Sequence, residues 1–146
     1  MVGPATAPSD SLRRRVRALH DRLAETYGPP EKPRLDPLDE LMLTILSQNT
    51  SDTNRDRAYA ALRSRFPDWA AVLNAPREEV EEAIRPAGLW QQKARVLQET
   101  LASILEDQGE LDLSVLDEMS NDEALDYLTG FRGVGIKTAA CVLCFA

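Results

Sequence analysis

The sequence holds only two cysteines, no apolar run of membrane-spanning length and no useful stretch of strand-like alternation. Each absence excludes something. Two cysteines without an export signal do not make a disulfide framework. Residues 1–10 carry no apolar segment of signal-peptide type; they read as a short disordered leader rich in Pro, Ala, Thr and Ser. Crossing a bilayer takes roughly 20 consecutive apolar residues, so no membrane role is expected. Without alternation there is no sheet, and the class is all-α, a compact helical bundle. An excess of positive charge is missing too. The net charge of −7 argues against a purely electrostatic binder of polyanions.

What is present is the material of one soluble domain: 146 residues, 43% hydrophobic and 28% charged. The charge is unevenly placed. Acids crowd 78–82 and 106–126, while bases crowd 13–22 and 55–65 and recur at Arg132 and Lys137. A polarised surface can therefore present one positive face despite the net charge. Helical spacing recurs along the chain. Residues 11–27 form a basic amphipathic helix with Leu12, Val16, Leu19 and Leu23 on one face, stopped by Gly28-Pro29-Pro30. Leu38, Leu41, Met42, Ile45, Leu46 and Asn49 mark a mostly apolar, central helix. Thr53 is placed to cap a third helix and Pro76 to start a later one. Residues 91–108 form a long helix with Ala94, Leu97, Leu101, Ile104 and Leu105 inward. Ser120-Asn121-Asp122-Glu123 is a capping box.

The chemistry-bearing signal follows that box: a short helix, the turn Gly130-Phe131-Arg132-Gly133-Val134-Gly135, and a helix from Ile136. Glycines at 133 and 135 let the backbone turn tightly and approach another molecule closely. The first amides of the second helix have no intrahelical acceptor, and with the helix dipole they suit a phosphate oxygen. An acidic protein can hold DNA this way, through backbone amides rather than lysines. Lys137 lies in the first helical turn, where the dipole favours the neutral amine that a nucleophile needs. From turn chemistry alone, an ordinary helix corner and a solvated lysine explain these residues as well. Cys141 and Cys144 have C-x-x-C spacing but sit in an apolar helix without further ligands. They read as small buried residues rather than a metal site.

Three stretches together are more specific. Gly133-Val134-Gly135-Ile136-Lys137-Thr138-Ala139, the run 43–52 (LTILSQNTSD) and the run 87–94 (AGLWQQKA) resemble, in order and separation, the endonuclease III family of helix–hairpin–helix DNA glycosylases. The resemblance covers roughly residues 35–146. It implies a six-helix domain with the hairpin at the mouth of a cleft, and double-stranded DNA with damaged bases or abasic sites as partner. It implies that a damaged nucleotide rotates out of the stack. Lys137 would then attack C1′, expel the base and cleave the strand by β-elimination, as in the bifunctional members. Asn49 matches the family's duplex-plugging glutamine, and Gln48 beside it could serve instead. Leu89 matches an apolar wedge, and Trp90 reads as packing. Arg132, where proline is usual, would add a phosphate contact beside Gly133, Val134 and Gly135. Phe131 replaces a usual leucine.

The resemblance also sets out what to expect beyond Ala146. The family's catalytic aspartate and the four cysteines of its [4Fe–4S] cluster would lie there, so no cofactor is credited to this chain. The chain is read as incomplete and weak on its own. Residues 11–34, an N-terminal helix and linker, would pack on that further segment. A monomer in the cytoplasm, associated with the nucleoid, is expected. The oxidised pyrimidines are the expected lesions, and a non-catalytic DNA-binding module is the competing reading.

Overall fold

The computed structural model describes residues 9–28 and 34–146. Of the leader expected at 1–10, residues 1–8 lie outside the described residues, as does the proline-rich stretch at 29–33, while Ser9 and Asp10 belong to the start of the first helix. The chain divides into two units, residues 1–33 and 34–146.

The first unit is a single helix, α1 (Asp10–Tyr27). It begins one residue before the sequence suggests, because the Ser9 hydroxyl accepts the Leu12 amide at 3.3 Å. Gly28, at φ 75°, closes it with its amide on the Ala24 carbonyl. None of its residues is buried, its apolar face included.

The second unit is a helical bundle. Asp36 caps α2 (Pro37–Ser47), accepting the Leu38 amide at 2.9 Å, and Pro37 sets the first turn. Leu38, Leu41, Met42, Ile45 and Leu46 are completely or almost completely buried, so α2 is the central helix. Each such side chain contributes about 1.5–3 kcal/mol of transfer free energy. Next in the chain come α3 (Asp52–Arg65), which packs on α2, then α4 (Trp69–Asn74) and α5 (Arg77–Ile84). A 3₁₀ turn, Arg85–Ala87, leads into α6 (Trp90–Gln108). A second 3₁₀ turn at Ser114–Glu118, which helical periodicity does not reveal, precedes α7 (Asn121–Thr129) and α8 (Ile136–Phe145).

The capping box at Ser120 and Glu123 is formed in full. Other local expectations shift. Ser51, not Thr53, caps α3, because its hydroxyl reaches the Asn54 amide at 3.3 Å. Pro76 is the N-cap of α5 rather than its first helical residue. Leu105 is 40% exposed, since it lies off the stripe carrying Leu97, Leu101 and Ile104. Cys144 is exposed and Cys141 half-buried, so the pair does not form a buried step of α8. Most consequential, α2 stops at Ser47, so Asn49 is not on the helix face that its spacing suggests.

Candidate functional site

Three short segments are tied around the first turns of α6. The first is the chain leaving α2. Gln48 is its C-cap, and Asn49 is exposed at φ 52°, in the left-handed region. Asparagine tolerates that region better than most side chains do. The second is Gly88-Leu89. Leu89 is the N-cap of α6 at φ 48°, ψ 33°, and is 51% exposed. A leucine held there stores strain of about 1–2 kcal/mol. Asn49 and Leu89 are the only non-glycine residues with positive φ among the described residues. Strained, exposed tips of this kind concentrate at functional sites.

The third segment is the bend between α7 and α8. Gly133 has φ 79°, and a Cβ there would meet both Val96 methyl groups at 3.0 Å. Glycine is thus required twice over, by backbone conformation and by close packing on α6. Gly135 differs from the sequence reading, which gave both glycines the same task. It is extended (φ −92°, ψ 175°), a region open to any residue, and nothing lies within 4 Å of where its Cβ would sit. The missing side chain leaves open the approach to the backbone at the start of α8. No side chain caps that helix, so its first amides lack helical acceptors. Val134 contributes less to an outer face than its place in the motif suggests. Its side chain is buried and its amide donates to the Phe131 carbonyl at 3.1 Å. Phe131 is buried edge-on to Tyr127, with ring centroids 5.2 Å apart.

Lys137 lies in the first turn of α8 and is exposed, with no hydrogen-bond or ion-pair partner among the described residues. Arg132 is not free: its guanidinium lies 3.5 Å from Glu99 of α6. A hydrogen bond from Arg95 holds the Glu99 carboxyl below the usual glutamate range, and Arg132 adds to the effect.

Two polar side chains join the segments, and the sequence reading missed the role of both. The Gln48 amide nitrogen donates to the Gly133 carbonyl at 3.1 Å and to the Thr138 hydroxyl at 3.2 Å. Its two N–H groups are thereby engaged inside the protein. Gln48 is therefore a clamp between α2 and the bend rather than a substitute for Asn49. Lys93, 3% exposed, donates to the Leu46 and Ala87 carbonyls, both at 2.8 Å. Burial lowers its amine below the ordinary lysine range. The signal for Lys93 was its register: it falls in phase with Leu97, Thr100 and Ile104 on the inward stripe. Trp90 is partly buried against the core, with the Arg85 guanidinium 5.5 Å from its ring centre.

The chain does not supply the thiolate set of an iron–sulfur cluster. Its two cysteines share one helix, and no group of three or more His, Cys, Asp or Glu side chains suited to a metal occurs among the described residues.

The family model described as HhH-GPD superfamily base excision DNA repair protein matches residues 42–138. The chain is 43% identical over 122 residues to the "Putative DNA glycosylase At3g47830" of Arabidopsis thaliana, covering 84% of this chain and 41% of that protein. It is 32% identical over 111 residues to Endonuclease III of Synechocystis sp., covering 75% of this chain and 46% of that enzyme. The chain thus spans less than half the length of these relatives. A trapped endonuclease III–DNA covalent intermediate superposes with a TM-score of 0.65 at 27% identity, over 92% of this chain and 60% of that one. The matched region contains all three segments of the site, and the chain belongs to the HhH-GPD superfamily of base-excision DNA repair proteins, as an endonuclease III-like glycosylase family member.

Proposed function

We propose that this chain carries the lesion-binding half of a bifunctional DNA glycosylase and abasic-site lyase acting on damaged duplex DNA, with oxidised pyrimidines as the substrate class. The observation that carries the reading is the bend at 133–137. It offers an uncapped helix N-terminus with open space at Gly135, and an exposed, unpaired lysine one turn in. The open amides of Gly135 and Ile136 would donate to a phosphate oxygen. Leu89 would enter the stack behind an extruded nucleotide, and Asn49, with both donor and acceptor, would face the stranded partner base. The basic patches at 55–65 and at Arg132 would add sequence-independent contacts; reaching a phosphate, Arg132 would have to leave Glu99.

In the chemical step, the Lys137 Nζ lone pair forms a bond to C1′ as the glycosidic bond breaks. The base departs with the bonding electrons and takes up a proton. The C1′–O4′ bond then breaks, O4′ takes the proton that Nζ gives up, and the opened sugar is held as a protonated imine. Loss of a C2′ proton then expels the 3′ phosphate and cuts the strand. Of the chain's three lysines, Lys32 lies outside the described residues and Lys93 is buried on two carbonyls. Lys137 is the described lysine that solvent and substrate can reach.

Borohydride reduction on duplex DNA with a single abasic site tests the reading. The hydride reduces the imine to a stable amine, so the expected result from this chain, weak on its own, is a low yield of covalent protein–DNA adduct that Lys137→Ala abolishes. An adduct undiminished in Lys137→Ala removes the nucleophile assignment. Salt-sensitive duplex binding with no adduct at all would leave a non-catalytic DNA-binding module.

A further inference from the structure

We propose that Lys93 is a positioning residue that couples the two exposed tips, Asn49 and Leu89, so that they are set or lost together. The inference rests on the DNA-contact reading above for its functional meaning, but not for its geometry.

The geometry is specific. One buried ammonium has no carboxylate partner among the described residues and instead donates to two backbone carbonyls from segments 41 residues apart in the chain, Leu46 and Ala87. Leu46 lies in the last turn of α2, and Ala87 ends the 3₁₀ turn before α6. Both carbonyls belong to helical ends, where the orphan C=O groups carry partial negative charge. Both host residues are fully buried, so water does not replace the ammonium. Asn49 follows Leu46 by three residues, and Leu89 follows Ala87 by two. These are the same two residues that hold left-handed backbone without being glycine. Such conformations persist only where flanking backbone is held. Lys93 holds the flank of both, and its own backbone amide donates to the Leu89 carbonyl at 2.9 Å. The depressed basicity that burial gives this lysine accords with an amine selected for position over charge.

Two amides report on the coupling without DNA. The Gln48 amide donates to the Ile45 carbonyl at 3.3 Å, and the Gly88 amide to the Arg85 carbonyl at 3.2 Å. In Lys93→Met, both should exchange with solvent about tenfold faster or more, together, while amides of α7 keep their rates. Loosening of one tip alone, or of neither, overturns the proposal. If Lys93→Met fails to fold, the unmutated chain still decides. In low denaturant the Gln48 and Gly88 amides should open with one shared denaturant dependence, and two separate dependences overturn the coupling. Lys93→Gln, which keeps two donors, should restore at least part of the protection lost in Lys93→Met.

The functional arm uses duplex DNA with an abasic-site analogue opposite 2-aminopurine, whose fluorescence rises when it is unstacked. The unmutated chain should brighten it, and Lys93→Met should lose most of that rise, while its affinity for undamaged duplex stays within about twofold. Equal brightening by the two proteins overturns the proposal. An unmutated chain that neither binds nor brightens the probe, yet shows coupled exchange, supports the coupling and removes the DNA-contact reading instead.

Discussion

The turn before α6 and the bend before α8 solve opposite problems with similar residues. At Gly88-Leu89, a strained backbone is retained in order to present a side chain: leucine stands left-handed and half exposed. At Gly133-Val134-Gly135, side chains are given up in order to present backbone. Gly133 is pressed onto Val96, and Gly135 leaves open the entry to an uncapped helix. The contrast teaches that a glycine-rich helix start is not one device. Its meaning depends on which glycine needs its φ, which needs space, and what stands exposed beside it.

The comparison breaks most sharply at the two hairpin glycines. Gly133→Ala must place a Cβ in left-handed backbone and against two methyl groups, and a loss of about 2–4 kcal/mol is expected by urea unfolding. Adding Val96→Ala should return only the packing part. Gly135→Ala has ordinary φ and free space, so its stability should change by less than about 0.5 kcal/mol, while duplex affinity falls. Equal stability losses at the two positions would contradict the division of labour.

The clamp comes next. Gln48→Ala strips a donor from the Gly133 carbonyl and from the Thr138 hydroxyl, and should cost about 1–2 kcal/mol in thermal or urea unfolding. It should weaken duplex binding through the bend while leaving Leu89 in place. Unchanged stability would mean the amide serves outside the protein after all.

At the other turn the effect on stability is smaller still. Leu89→Ala removes an exposed side chain and keeps the backbone, so unfolding free energy should move by less than about 0.5 kcal/mol. Unstacking of a probe base in duplex DNA should nonetheless be lost. Retained unstacking would return Leu89 to the status of an ordinary loop leucine.

The smallest effect is a pH dependence. Glu99 is held below its ordinary range by Arg95 and then Arg132, so its stabilising contribution is full above the usual glutamate range. That contribution disappears as pH falls through the depressed folded value. Glu99→Gln should lower the melting temperature slightly at neutral pH and leave it unchanged in acid, which flattens the acid limb of melting temperature against pH. An unaltered acid limb would show that the ion pairs at the root of the bend contribute nothing.

Much of this was legible in the sequence. The helices of the bundle follow from apolar spacing, and the box at Ser120 and the stops at Gly28 and Gly109 from local chemistry. Motif order gave the family. What the sequence concealed was tertiary. At the end of α2, Lys93 and Gln48 bridge to distant segments, and no local window contains those partners. Gly133 and Gly135 look equivalent as letters, and only packing against Val96 distinguishes them. A buried lysine on an inward stripe looks like a break in pattern until its two carbonyl partners are seen.

The central claim is that the bend at 133–137 aims one reactive amine at a sugar carbon. Peptide mapping of the borohydride-stabilised adduct by mass spectrometry tests it most directly, because the chain offers only Lys32, Lys93, Lys137 and its terminal amine as sites. The account expects the modified sugar on Lys137. A sugar found on Lys93, on Lys32 or on the terminal amine, with Lys137 unmodified, would contradict it.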